Sequence, residues 1–241
     1  MMHPEIAALI DAASNPYLAA GRYAYHFSRS KLRHDPVFIA LLRSGRIPDR
    51  ARVLDLGCGQ ALVASLMLAA RTRFDAGLWP AGWIAPPTAL QLRGIESERR
   101  AAHRARIALG DRATIITADL RDASLPESDI VLLIDVLHYL ENDVQVSLLE
   151  RVARSLHGGG LLILRVADNA AGWEFRLGKA ADRFGSLVTA HAMPRHFHRR
   201  IDEWLDLLAT QGFEPSVEPH AAGKSFANVL IWAKMPAAGQ A

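Results

Sequence analysis

The sequence predicts an α/β domain built on a doubly wound, mostly parallel β-sheet. From residue 51 onward, short and fully apolar runs alternate with helical patterns, and a glycine-rich turn follows the first of these runs. Strands that crossover helices cover on both faces have this continuous apolar composition. The chain has 241 residues, of which 50% are apolar and 22% charged, so it is long enough for one domain of this kind with small additions.

The residues ahead of the sheet, 1–50, are predicted to form a helical cap that is added to a single compact domain of residues 51–241. The stretch "EIAALIDAA" has apolar residues at helical spacing, and "DPVFIALLRSGR" places Pro36 near a helix start and Gly45 near its end. Between them, "GRYAYHFSRSKLRHD" interleaves aromatic and basic residues. This pattern is typical of an amphipathic helix with a solvated basic face.

Seven apolar runs predict a seven-stranded sheet. The parallel strands are expected in "ARVLDLG", "QLRGIES", "ATIITAD", "SDIVLLIDVL" and "GLLILRVAD". After a helix near "RIDEWLDLLATQG", the runs "FEPSVEPH" and "KSFANVLIWAKM" follow each other with a short connection. Such a connection predicts that the two late strands pair antiparallel at the edge of the sheet.

One predicted connection is unusually long. The stretch "FDAGLWPAGWIAPPTAL", residues 74–90, is rich in Pro, Gly and Trp and joins the first core helix to the second strand. Long loops in compact domains are usually functional or disordered. We expect this loop, together with the C-terminal segment, to cover a substrate.

Charge and cysteine content limit the partners and the compartment. The formal net charge is only +3, and basic residues are interleaved with acidic ones, which disfavours nucleic acid as a partner. The single cysteine, Cys58, excludes an intrachain disulfide and fits a reducing compartment. Neither a signal-peptide pattern at the first residues nor a run of ~18 apolar residues is present. We therefore expect a cytoplasmic protein without a membrane partner.

The glycine turn "VLDLGCG" indicates a nucleotide-like cofactor. The dinucleotide pattern G-x-G-x-x-G needs a third glycine that packs the helix on the strand. Gly57 and Gly59 supply the first two glycines, but Leu62 occupies the third position. A nicotinamide dinucleotide is therefore disfavoured, although glycines without side chains still allow the turn to approach a ligand closely.

This turn resembles motif I of the class I S-adenosylmethionine-dependent methyltransferases, and the resemblance continues through the five parallel strands. It implies a Rossmann-like fold with S-adenosylmethionine as the cofactor. On that resemblance, Gly57, Cys58 and Gly59 contact the cofactor, and Asp55 organises the turn and the methionine ammonium end. Ala61 stands where the family often has glycine, so we expect a slightly tighter pocket without loss of binding.

The resemblance implies four further cofactor positions. Glu96, in "RGIES", matches the acid that binds both ribose hydroxyls, and the alternative is that it only caps the following helix. Asp119 and Leu120, in "TADLRD", match the adenine-contacting position, while Asp119 is alternatively an ordinary turn residue. Asp135, after the fourth strand, completes the predicted cofactor site.

Catalytic candidates follow from the fourth strand, where "DIVLLIDVLHYL" resembles motif IV of the family. In open α/β sheets, chemistry takes place beyond the carboxyl ends of the strands. His138 is the candidate base or orienter because histidine titrates near neutral pH, and its alternative role is to shape the cofactor pocket. Tyr139 is the second candidate. Tyr25, Arg29 and Lys31, in the basic cap helix, are candidates for contact with a methionine or substrate carboxylate.

A metal site is not expected. Asp135 and the pair Asp168 and Asn169 occupy places similar to those of the magnesium ligands in catechol-type O-methyltransferases. However, the pattern "VLHYL" belongs to the metal-free branch of the family. The three histidines of "HAMPRHFHRR" lack the spacing of a zinc site and instead predict a polar lid or a solvated loop.

The expected acceptor is a small molecule. The chain lacks the N/D-P-P-Y/F motif of DNA adenine methyltransferases and the paired-acid loop of protein arginine methyltransferases. "HPEIAALIDAASNPY" and "SFANVLIWAK" resemble methyltransferases of bacterial aryl polyene pigment pathways, which implies O-methylation of an aromatic hydroxyl, free or bound to a carrier protein. A carboxylate is the other expected acceptor. The alternative is a catalytically inactive nucleotide-binding partner or regulatory subunit with the same fold.

Overall fold

The computed structural model describes residues 3–167, 197–218 and 228–237. The segment ahead of the sheet is helical, as predicted. It consists of α1 (Pro4–Ser14), a 3-10 turn (Asn15–Ala20), α2 (Arg22–His34) and α3 (Val37–Arg43). Within the described residues, every helix is too short or too polar to cross a membrane.

The remaining elements alternate in the order that the apolar runs predict. The strands are β1 (Arg52–Leu56), β2 (Gln91–Glu96), β3 (Thr114–Thr117), β4 (Ser128–Ile134), β5 (Leu156–Ala167), β6 (Glu214–Glu218) and β7 (Asn228–Lys234). The helices are α4 (Leu62–Asp75), α5 (Arg99–Leu109), α6 (Asn142–Ser155) and α7 (Ile201–Thr210).

The sheet is seven-stranded and mostly parallel, which confirms the predicted fold class. Its strand order is β3-β2-β1-β4-β5-β7-β6. Strands β1 to β5 run parallel, and β7 is antiparallel to both β5 and β6, so the two late strands pair as expected. The strand order reverses between β1 and β4, and in such sheets ligands bind in the crevice beyond the carboxyl ends at that point.

Each face of the sheet carries its own hydrophobic core. Because side chains alternate along a strand, Val53 joins the core that α1 to α5 cover, whereas Leu54 joins the core under α6 and α7. The N-terminal helices therefore lie on the same face as α4 and α5. This arrangement places Asp55, two residues after Val53, on the face that the N-terminal segment covers.

Buried hydrogen bonds connect the N-terminal segment to the start of α4. The Tyr17 hydroxyl donates to the carbonyl oxygen of Gln60 at 2.6 Å, and the Ser65 hydroxyl donates to the carbonyl oxygen of Ala13 at 2.6 Å. Tyr17 is fully buried. The boundary at residue 50 stays a prediction, but the glycine turn and the N-terminal segment share both a core and hydrogen bonds.

The Trp- and Pro-rich loop lies away from the crevice, so the expectation that it covers a substrate is wrong. It joins the end of α4 to the start of β2, and both of these lie at the amino edge of the sheet. Thr88 is fixed there, because its N–H donates to Oδ1 of Asp49 at 2.7 Å and its carbonyl accepts from the N–H of Arg50 at 2.8 Å. Trp79 and Trp83 pack edge to face at 5.7 Å between ring centres.

Candidate functional site

A cleft of about 260 Å³ opens at the carboxyl edge of the sheet, where the strand order reverses. Residues at or just after the ends of β1, β2, β3 and β4 line it: Gly57, Glu96, Ser97, Asp119, Leu120, Arg121, Asp135, Val136, Tyr139 and Leu140. Six of the ten site residues predicted from the sequence are among them. The fold thus brings the predicted cofactor residues of four separate strands to one place.

The glycine turn needs its two glycines for different reasons. Gly57 and Gly59 have φ angles of +69° and +58°, in the left-handed region that glycine adopts without strain. A Cβ on Gly57 would lie 2.5 Å from a methyl group of Val136, whereas a Cβ on Gly59 would meet nothing within 4 Å. Gly57 is therefore required for packing between the first and fourth strand ends, and Gly59 presents open backbone.

Ala61 also adopts a left-handed conformation, with a φ of +57° at the residue before α4. For an L-residue this conformation costs about 1–2 kcal/mol, which explains why glycine suits the position. The Ala61 side chain is buried in the core and does not line the cleft. The expected narrowing of the pocket is therefore wrong, because the substitution affects backbone strain instead.

Glu96 lies in the cleft and bridges two turns. Its Oε2 accepts a hydrogen bond of 2.7 Å from the N–H of Gly59, and its Oε1 accepts one of 2.7 Å from the N–H of Glu98. The cap of α5 is Glu98, whose carboxylate accepts from the N–H groups of Arg100 and Ala101 at 2.8 and 2.6 Å. The alternative interpretation of Glu96 as the helix cap is therefore wrong.

Asp55 and Cys58 lie beneath the turn rather than in the cleft lining. Burial, followed by the charge of Glu96, raises the pKa of Asp55 to about 7. Burial also raises the pKa of the Cys58 thiol, and a Cβ on Gly94 would lie 2.6 Å from its sulfur. The Cys58 side chain therefore fills the space against β2, so that only its backbone remains for a cofactor contact.

Asp119 forms a side-chain turn and also lines the cleft. Its Oδ1 accepts from the N–H of Arg121 at 2.9 Å, and its Oδ2 pairs with the Arg121 guanidinium at 2.9 Å. The bond from the Arg121 N–H is the main reason that the pKa of Asp119 lies below its usual range. This is a side-chain turn of the kind Asp favours, and the same residue lines the cleft beside buried Leu120.

Asp135 belongs to a network around buried Arg165 that the sequence did not predict. Arg165, only 4% exposed, donates to the carboxylates of both Asp135 and Asp35. The Lys31 ammonium lies 2.8 Å from Asp35 and 3.7 Å from Asp135. Burial alone would raise the pKa of Asp35, but Arg165 and Lys31 hold it well below its usual range. The sequence did contain an indication of this network, because Arg165 interrupts the apolar run "GLLILRVAD" and a charged residue in a buried strand needs partners.

The two basic candidates in α2 have different partners. The Lys31 ammonium lies 3.7 Å from Asp135, which lines the cleft, whereas the Arg29 guanidinium donates to Asp11 at 2.6 Å within the N-terminal segment. The ion pair with Arg165 weighs against Asp135 as a magnesium ligand, because a cation would have to displace the guanidinium. Asp168 and Asn169 lie outside the described residues. The described part of the chain holds no group of three or more His, Cys, Asp or Glu that could bind a metal ion.

The catalytic candidates occupy a short 3-10 turn, Leu137–Tyr139, directly after β4. Tyr139 lines the cleft, and partial burial together with the charge of Asp135 raises the pKa of its phenol. The rings of His138 and Tyr139 are 4.0 Å apart. His138 is not in the cleft lining, but its ring stacks parallel to that of His198 at 5.8 Å. His138 therefore faces the segment that contains His198.

Comparison with known proteins identifies the class of enzyme. Residues 98–214 match the family model of the O-methyltransferase domain. The chain is a methyltransferase. Among curated protein sequences, no significant match is found. The matched domain covers β3, β4 and β5 together with the candidate catalytic turn, so it includes one side of the cleft.

Solved structures share the fold of the methyltransferase. The magnesium protoporphyrin IX methyltransferase of Synechocystis PCC 6803, solved with bound S-adenosylhomocysteine, is 18% identical, with a TM-score of 0.55 and coverage of 85% of this chain and 83% of that one. An O-methyltransferase family protein of Burkholderia thailandensis is 15% identical, with a TM-score of 0.62 and coverage of 92% and 62%. A methyltransferase of Mesorhizobium loti is 20% identical, with a TM-score of 0.55 and coverage of 83% and 96%.

These findings confirm the assignment to the class I S-adenosylmethionine-dependent methyltransferases that the motifs predicted. The resemblance to the aryl polyene enzymes and the roles of the individual site residues stay predictions.

Proposed function

We propose that the methyltransferase transfers a methyl group from S-adenosylmethionine to an oxygen atom of a small molecule, either an aromatic hydroxyl or a carboxylate. The observation that carries this proposal is the cleft, where Glu96, Asp119 and Tyr139 meet at the strand-order reversal. The match of residues 98–214 to the O-methyltransferase domain supports oxygen as the accepting atom.

The residues of the cleft fit a nucleoside. A carboxylate accepts two hydrogen bonds at once, so Glu96 can bind both ribose hydroxyls in exchange for its bond to the Gly59 N–H. Leu120 and Val136 can form an apolar wall for the purine, and the Asp119 carboxylate can accept a hydrogen bond from the purine amino group. Backbone at Gly59 is open to the ligand, since nothing lies within 4 Å of where a Cβ would stand.

S-adenosylmethionine, when bound, supplies an electrophilic methyl group. The chain must then align an acceptor oxygen and, for a hydroxyl, remove its proton. We assign to the imidazole of His138 the role of the base that accepts this proton. The phenol of Tyr139, whose pKa is raised further above its ordinary value by partial burial and the charge of Asp135, can donate a hydrogen bond to the acceptor. A carboxylate acceptor would need no base, so the acceptor class decides how much His138 contributes.

A small acceptor, free or attached to a carrier protein, fits the charge of the chain better than nucleic acid does. The formal net charge is +3, and basic residues alternate with acidic ones along the sequence. One structural neighbour is named as acting on magnesium protoporphyrin IX, which is itself a small molecule.

Calorimetric titration with S-adenosylhomocysteine, with NADH as the control, tests the cofactor. We expect micromolar binding of S-adenosylhomocysteine alone, unchanged when magnesium is omitted. Phenolic and carboxylate acceptors, free and carrier-bound, would then be screened for transfer of a labelled methyl group. Binding without transfer to any acceptor would favour the inactive partner or regulatory subunit. Binding of NADH alone would overturn the proposed cofactor.

A further inference from the structure

Gln145, in the first half of α6, is a fully buried polar side chain close to the candidate catalytic turn. Its Nε2 donates hydrogen bonds to the carbonyl oxygens of Leu137 and Leu140, each at 3.0 Å, and of Phe197 at 3.3 Å. Buried carbonyl groups need such donors, because an unmatched one carries its full desolvation penalty. One amide group therefore serves three carbonyls that belong to two separate segments.

The other end of the Gln145 amide is fixed as well. Its Oε1 accepts from Nε of Arg199 at 2.9 Å, and Nη2 of Arg199 donates to the carbonyl oxygen of Asn142 at 3.0 Å. The Arg199 guanidinium also lies 5.6 Å from the ring centre of buried Trp204. Three carbonyls face one end of the amide and a cation faces the other, so only one orientation of Gln145 satisfies all its partners.

The two segments that Gln145 joins meet at His138. Leu137 and Leu140 flank the pair His138 and Tyr139 in the chain. On the other side, the N–H of Phe197 donates to the carbonyl oxygen of His138 at 3.0 Å. The stacked imidazoles of His138 and His198 are inclined by only 6°. Residues that are far apart in sequence thus form one hydrogen-bonded unit beside the cleft.

We propose, on the basis of the function proposed above, that Gln145 is a positioning residue that fixes His138 relative to the chain at Phe197 and His198. Gln145 does not touch the cleft, so it acts through the carbonyls that it holds. Precise placement matters for methyl transfer, because a displacement of ~1 Å of a reacting group can cost ~100-fold in rate.

The test compares Gln145→Met, which keeps the length of the side chain but removes its donors, with Ser155→Ala. Ser155 is a matched control because it is a buried polar residue at the far end of the same helix, where its hydroxyl donates to the carbonyl oxygen of Val152. Arg199→Met is the milder second variant: it releases the acceptor end of the Gln145 amide and the Arg199 contacts with Asn142 and Trp204, but it leaves the Gln145 bonds to the three carbonyls in place. Each variant would be measured for kcat, KM, affinity for S-adenosylhomocysteine and amide exchange at Phe197.

For Gln145→Met we expect kcat to fall at least ~10-fold, while affinity for S-adenosylhomocysteine changes less than ~2-fold. Exchange of the Phe197 amide should speed up by a similar factor, with smaller changes in Arg199→Met and none in Ser155→Ala. Unchanged exchange at Phe197 in both the Gln145 and Arg199 variants would overturn the proposal, as would parallel losses of kcat and cofactor affinity. If the wild-type protein transfers no methyl group, the proposed function fails, whereas amide exchange still decides the role of Gln145.

Discussion

Glu96 and Gly59, which are 37 residues apart, are joined by a hydrogen bond of 2.7 Å from the Gly59 N–H to Oε2 of Glu96. The acid proposed to bind ribose therefore also holds the glycine turn that the ribose would approach. Because the same carboxylate fixes the start of α5 through the Glu98 N–H, it sets the distance between two walls of the cleft.

Glu96→Ala should weaken binding of S-adenosylhomocysteine by about 1.5–3 kcal/mol, the range for hydrogen bonds to a charged group. Calorimetric titration measures this change. Glu98→Ala is the matched control, since it removes the cap of α5 and should lower the free energy of unfolding by about 0.5–2 kcal/mol without changing affinity. Equal losses of affinity in the two variants would remove Glu96 from the ribose.

Arg165→Met should lower the free energy of unfolding by about 3–5 kcal/mol at neutral pH, because it leaves two carboxylates without their buried partner. Chemical denaturation measures this cost. The folded-state pKa of Asp35 lies below its unfolded value of ~3.9, so its stabilisation is present above that pH and is lost as pH falls towards the folded-state pKa. The difference between wild type and variant should therefore narrow on acidification.

Arg52→Met is the control for Arg165. Arg52 pairs with Asp129 in a more exposed setting, with side chains 30% and 34% exposed, so its removal should cost at most about 1 kcal/mol. A cost for Arg165→Met no larger than that for Arg52→Met would show that the buried network does not stabilise the fold.

Asp55 should make the stability of the protein pH-dependent between about pH 4 and pH 7. Its folded-state pKa of about 7 lies above the unfolded value of ~3.9, so its contribution is fully present below pH ~4 and is lost as pH rises through about 7. The free energy of unfolding should therefore fall between about pH 4 and pH 7 and change little above that range. In Asp55→Asn this part of the pH dependence should disappear, and identical pH profiles would contradict the assignment.

His138→Ala should reduce kcat by ~10²–10⁴-fold with a hydroxyl acceptor while affinity for S-adenosylhomocysteine changes little, because the base acts only on the acceptor. Steady-state kinetics and calorimetry together measure the two effects. His103→Ala, on the exposed side of α5, serves as the control and should change neither. Parallel losses of kcat and cofactor affinity would instead identify His138 as a residue of the cofactor pocket.

Local patterns predicted the fold because they depend on neighbouring residues. Apolar runs located the strands, and the motif around Gly57 and Gly59 predicted a glycine turn where the structure has one, directly after β1. The choice between Glu96 and Glu98 as the helix cap could not be made from sequence, since both acids stand within one turn of the helix start. Only the backbone geometry decides which carboxylate meets the first N–H groups of α5.

Contacts between residues that are distant in the chain could not be predicted from the sequence. Arg165 lies 30 residues from Asp135 and 130 from Asp35, so no spacing pattern could connect the three. Gln145 was missed for the same reason, because its partners include a carbonyl 52 residues away. The position of the Trp- and Pro-rich loop was also predicted wrongly, although topology determines it: a connection from a helix to the next parallel strand lies at the amino edge of the sheet, away from the cleft.

The Trp- and Pro-rich loop, residues 74–90, offers a site for attaching the protein to a solid support. Leu78, in the loop, is 54% exposed and lies at the edge of the sheet opposite the cleft. Cys58 is the single cysteine of the chain, and burial makes its thiol a poor nucleophile. A cysteine introduced at position 78 should therefore react first with a thiol-selective surface and immobilise the molecule with its cleft directed towards the solution.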